Sequence, residues 1–92
     1  MKDKAQLQEN LANQAQAFGL MLADKGLENI GKWGMQDMTI LTMAISEECG
    51  EVARAVLDHL HVAGDIDRAY QESIDLGALC IQLMLLVREA RR

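Results

Sequence analysis

The sequence predicts an all-α domain, an antiparallel bundle of about three helices, on three observations. Its 92 residues include no proline and few aromatic residues, while Ala, Leu, Met, Gln and Glu abound, a balance that favours helix over strand. Apolar residues recur at three- and four-residue spacing through three long segments, the period of one helical face. Two of those segments also carry an acidic i, i+3 pair on the apolar side, Glu48 with Glu51 and Glu72 with Asp75.

From about Lys4 to Asp24, Leu7, Leu11, Ala15, Phe18 and Leu22 form a narrow stripe among polar residues, so the first helix packs by one edge. Residues 25–37 contain Gly26, Gly31 and Gly34 and read as a loop or a short broken turn. Asp37 is a suitable N-cap for a second helix running from about Met38 to Leu60. Gly50 lies opposite its apolar arc and costs about 1 kcal/mol relative to Ala, for which close approach of another element would be one reason. His61 to Gly64 form the turn, with His59 and His61 as helix-end and turn residues, and Asp65 or Asp67 caps a third helix that runs to about Ala90. That helix has a second apolar face, Ile74, Ala78, Ile81 and Leu85, that needs a partner. A single small domain, residues 1–92, leaves much of its surface bare, so bundles completed across subunits of a homo-oligomer, dimer or tetramer, are expected.

The formal charge of −5 and the lack of a basic run exclude the phosphate-neutralising surface that a nucleic-acid polymer needs. Cys49 and Cys80 lack the spacing of a zinc or redox motif and read as small buried residues of a protein in a reducing compartment. No segment has the roughly 20 apolar residues of a membrane span, and the N-terminal residues through Lys4 lead into no signal-type apolar core. A cytoplasmic protein is expected, with no membrane partner.

The chemistry lies in the acidic pairs. On a helical wheel Glu48 falls within the arc of Leu41, Ala44, Ile45, Val52, Ala55 and Val56, and Glu51 borders it. Glu72 falls within the arc of Leu76, Leu79, Leu83, Leu86 and Val87, and Asp75 borders it. A carboxylate facing a core costs several kcal/mol unless it is paired, hydrogen-bonded or bound to metal. If the second and third helices are antiparallel neighbours, the two pairs lie at nearly the same level, within about 3 Å along the axis. Four hard oxygen donors then converge, and the cation they suit is Mg²⁺ or Mn²⁺. The alternative is that these are solvated surface charges.

The order Lys32-Trp33-Gly34-Met35-Gln36, then Glu47-Glu48-Cys49-Gly50-Glu51, then Glu72-Ser73-Ile74-Asp75, resembles the MazG-like all-α nucleoside triphosphate pyrophosphohydrolases, whose signature is EExxE followed at a distance by ExxD. The resemblance covers about Lys32 to Arg88. It implies Mg²⁺-dependent hydrolysis of a nucleoside triphosphate to monophosphate and pyrophosphate, in nucleotide-pool cleansing. Glu48, Glu51, Glu72 and Asp75 match the family's metal ligands, and Glu47 matches the first acid of EExxE, which binds a second ion or orients the attacking water. Full-length MazG proteins carry two such domains. The related phosphoribosyl-ATP pyrophosphatases usually carry an upstream Pro-Glu-Gly-Ser-like segment that this proline-free chain lacks.

Four further residues are candidates for substrate contacts. Lys32 and Arg54 are suited to phosphate, against the alternative of ordinary surface cations. Trp33 is suited to stacking on a base, or else to filling a gap in the small core. Gln82, seven residues after Asp75, shares its side of the helix and is suited to a base edge. The rival class is a non-catalytic nucleotide- or metal-binding helical module that keeps the acidic helices without turnover.

Overall fold

A computed structural model of the chain describes residues 3–91 and contains three helices, α1 (Lys4–Trp33), α2 (Met38–Val62) and α3 (Ile66–Ala90), with no strand among the described residues. The all-α expectation therefore holds, and so does each helix start. Asp3, Asp37 and Asp65 are the N-caps, and their carboxylates accept from the backbone N–H of Gln6, Ile40 and Asp67 at 2.8, 2.9 and 2.9 Å. Each cap satisfies a donor that the first turn leaves unpaired.

The expected loop over residues 25–37 is corrected by the structure. Helix α1 continues through most of it and stops only at Gly34, whose φ of 74° is open to glycine and whose N–H bonds the Ile30 carbonyl at 2.8 Å. At Gly26 tertiary packing outweighs the helix penalty of a glycine. Gly26 is buried where α1 meets α3, and a Cβ there would lie 3.6 Å from Gln82 Cγ and 3.7 Å from the Ala78 carbonyl oxygen. Lys25 and Lys32 also bracket Glu28 at 3.5 and 3.2 Å, pairs that only a helix brings together.

Helix α2 runs two residues past the expected end. Ala63 closes it in the left-handed region at φ 60°, and the backbone N–H groups of Ala63 and Gly64 both return to the Asp58 carbonyl, the latter at 2.9 Å, which satisfies a carbonyl that the last turn leaves unpaired. His59 Nδ1 lies 3.0 Å from the Gly64 carbonyl oxygen, tying the helix end to the turn. The short connection makes α2 and α3 antiparallel: Arg68, early in α3, reaches Asp58 at 3.0 Å and Glu51 at 3.6 Å on α2.

Helix α3 is the centre of the fold, with α1 and α2 both packed on it rather than on each other. Residue numbers rise together from Leu22 beside Gly77 to Asn29 beside Gln82, so α1 runs parallel to α3. The approach is close: a Cβ on Gly77 would lie 2.7 Å from Leu22 Cδ2. Leu41, Ala55, Ala69 and Ala78 are the buried apolar residues among those described, a core built largely from small side chains. Part of the second apolar face of α3 is thus covered within the chain, by α1 over Ala78, while Leu85 stays open. Two smaller expectations are corrected. Gly50 has nothing within 4 Å of a would-be Cβ, so close approach does not explain it, and Cys49 is exposed because it lies on the outer side of α2, with Cys80 half-buried. No helix among the described residues is long and apolar enough to cross a membrane.

Candidate metal centre

The antiparallel pairing of α2 and α3 sets Glu48 opposite the turn of α3 that bears Glu72 and Asp75. One carboxylate oxygen from each of these three residues lies within 4.8 Å of the other two, and all three side chains are half-buried. Glu48 Oε2 is fully enclosed and has no hydrogen-bond partner. Burial, reinforced by hydrogen bonding with Glu72 and by the negative charges of Glu72, Asp75 and Glu51, pushes the Glu48 carboxyl up to about 7. The cluster is therefore short of positive charge. Three carboxylates gathered at this spacing, one of which has an enclosed and unpartnered oxygen, are a donor set that fits Mg²⁺ or Mn²⁺.

Glu51, expected as the fourth ligand, is not in this group. It is exposed, and the guanidinium of Arg68 lies 3.6 Å away. The helical step of 100° explains the separation: Glu51 borders the apolar arc, close enough to Arg68 at the start of α3 to be drawn to it instead.

The triad lies at one side of an open cleft of about 570 Å³ between α1 and α2, lined among others by Glu47, Glu48, Asp75, Lys32, Trp33 and Gln36. Glu47 is exposed there, one position before the triad's own glutamate. Trp33 is 70% exposed, so it is not the filler of a core gap; it is the last residue of α1 and lines the cleft. Lys32 also reaches the cleft, although its ammonium bonds Glu28 and holds that carboxyl below its usual range, with help from Lys25. Arg54 is exposed on α2 and does not line the cleft.

Gln82 is placed differently from expectation. It is 3% exposed under α1, and its Oε1 accepts a 3.2 Å bond from Asn29 Nδ2. Asn29, not Gln82, reaches the cleft. Lys25 is the other residue that sequence reasoning missed, with its ammonium 3.8 Å from Asp75 and also within the cleft lining. Both sit in the segment read as a loop. The signal was present as helical spacing, since Lys25, Asn29, Lys32 and Trp33 stand at i, i+4, i+7 and i+8 and so share a face.

The arrangement can hold a divalent cation beside a cleft that offers two ammonium groups, an indole, two amides and an exposed carboxylate. No protein-family model, curated protein or solved structure matches this chain.

Proposed function

We propose that the chain is a Mg²⁺-dependent nucleoside triphosphate pyrophosphohydrolase of the MazG-like all-α kind, acting in the cytoplasm on (deoxy)nucleoside triphosphates as a homo-oligomer. The observation that carries the reading is the Glu48, Glu72 and Asp75 triad, with its enclosed and unpartnered Glu48 oxygen, opening on a cleft lined by cations and a tryptophan. The lining of the cleft supports a triphosphate as the ligand. Lys25 and Lys32 supply positive charge beside the triad, and Trp33 with Asn29 supplies a flat apolar face and a hydrogen-bonding edge for a base.

Glu48, Glu72 and Asp75 would hold the cation, Mg²⁺ or Mn²⁺; when bound, it neutralises the polyphosphate and polarises the phosphoryl group. The chain's own residues do the rest. Lys25 and Lys32 draw in and orient the phosphates, and Glu47, exposed at the cleft, accepts the proton of the attacking water. Water adds across the anhydride between the α and β phosphates, giving monophosphate and pyrophosphate.

Pyrophosphate release from a panel of nucleoside triphosphates with Mg²⁺ tests the proposal. Release that stops with Glu47→Gln and with Glu72→Gln is the expected result. The second reading, a metal- or nucleotide-binding module without turnover, is favoured by the pairing of Glu51 with Arg68, which leaves three carboxylates where the resemblance implies four metal ligands. Saturable nucleotide binding with no pyrophosphate from any member of the panel would establish it.

A further inference from the structure

A buried amide reaches the cleft through its partner. Gln82 is the one buried polar residue among those described, 3% exposed beneath α1, where a Cβ on Gly26 would lie 3.6 Å from its Cγ. A polar side chain in so small a core is costly unless it is bonded, and its Oε1 accepts from Asn29 Nδ2 at 3.2 Å. Asn29 is half-buried and lines the cleft. It stands one turn of α1 after Lys25, whose ammonium lies 3.8 Å from Asp75, and one turn before Trp33, about 6 Å from each along the axis. The Asn29 amide is thus set between the cation nearest the triad and the indole.

The bond to Gln82 decides which amide atom is left for a ligand. With Nδ2 given to Gln82, the planar amide directs Oδ1 away from it, and no described residue donates to that oxygen. Turning the Asn29 amide alone would set two acceptor oxygens against each other beneath α1, with no hydrogen between them. Asn29 therefore presents an acceptor to the cleft. Gln36, the other amide there, forms no hydrogen bond with a described residue, so it turns to offer either atom and does not discriminate.

We infer that Asn29 selects nucleotides whose base carries an exocyclic amino group, cytosine or adenine, over the keto bases uracil and hypoxanthine, and that Gln82 is the positioning residue that fixes its polarity. The amino group donates to Oδ1, whereas a keto group in the same place sets oxygen against oxygen. One hydrogen bond in an open cleft gives about tenfold in affinity, well below what a closed polar pocket achieves. The inference rests on the reading of the cleft as a nucleotide site and not on turnover.

Non-hydrolysable α,β-methylene analogues read the preference without turnover. Calorimetric Kd values with Mg²⁺ are compared within two pairs, the analogues of dCTP and dUTP and those of dATP and dITP. The members of each pair differ only at the exocyclic group and the ring nitrogen beside it. The wild type is expected to bind the amino member about tenfold more tightly, and the pair that responds distinguishes cytosine from adenine. Gln82→Leu, which frees the Asn29 amide to turn, should bring that ratio toward one. Adding Asn29→Asp, which accepts with either oxygen and needs no partner to do so, should bring it back, although its charge weakens binding of every analogue. A merely structural role of Gln82 predicts no such return. Circular dichroism follows the fold of the variants, and the wild-type ratio alone overturns the inference if it is near one or reversed in both pairs. A ratio that persists in folded Gln82→Leu overturns the part given to Gln82. No binding of any analogue overturns both the inference and the nucleotide reading, whereas the expected ratio without pyrophosphate from the parent nucleotides supports the inference and overturns hydrolysis alone.

Discussion

Glu48→Gln removes one charge from the crowded triad with almost no change of shape, and its effect should depend on pH in a calculable way. The Glu48 carboxyl ionises near 4.5 when free and at about 7 in the fold. A raised carboxyl favours the native state while it is protonated. Its contribution is complete below about pH 4.5 and is lost as the pH rises through about 7. Taken in full, the displacement corresponds to about 3 kcal/mol; solvent screening of half-exposed groups reduces this to about 1 kcal/mol. For a chain of 92 residues, an unfolding entropy of about 2.1 cal/mol/K per residue turns 1 kcal/mol into about 5 °C of melting temperature. Thermal melts followed by circular dichroism at pH 5 and pH 8, in a chelator, should therefore show wild type losing about 5 °C more than Glu48→Gln. Added Mg²⁺ at pH 8 should restore wild type, by about 2.7 kcal/mol at 100 times Kd, and restore the variant less. Parallel pH profiles for the two proteins, with equal gains from metal, would refute the reasoning, because Glu48 would then be an ordinary helix glutamate.

Gly50→Ala should stabilise the protein by about 0.5–1 kcal/mol, since a Cβ there meets open space; chemical denaturation checks it, and activity should not change. Ala63→Gly should add a similar amount, because Ala63 holds a φ of 60° that costs a residue with a Cβ about 1 kcal/mol. Asn29→Leu should destabilise by about 1–3 kcal/mol by orphaning the buried Gln82 amide. Adding Gln82→Leu should recover part of that loss, and a double-mutant cycle showing additive effects would contradict the pairing.

The three helices were legible because local rules and tertiary packing agree over most of the chain. Asp37 caps where its position suggested, and Glu48 of α2 meets the acidic pair of α3 because the turn near Gly64 is short and the two lever arms are nearly equal. The last third of α1 was not legible. Gly26 and Gly31 signal a break when read locally, and only the contact of Gly26 with Ala78 and Gln82, more than 50 residues away in sequence, makes the helix worth continuing. That one misreading hid Lys25 and Asn29 from the candidate site. The place of Glu51 was obscured for a related reason: whether a residue at the border of an arc turns inward depends on what the neighbouring helix offers, and here α3 offers Arg68. Cys49 and Gln82 exchanged their expected surroundings, the thiol outside and the amide buried, because an apolar wheel does not register a hydrogen-bonding partner such as Asn29.

The central claim is that Glu48, Glu72 and Asp75 hold one divalent cation. Crystals grown with MnCl₂ and measured at the manganese edge test it most directly. The account predicts a single anomalous peak within bonding distance, about 2.0–2.6 Å, of carboxylate oxygens from all three residues, and no peak there in crystals of Glu72→Gln. A manganese site elsewhere in the cleft, or an occupied site that survives Glu72→Gln unchanged, would contradict it.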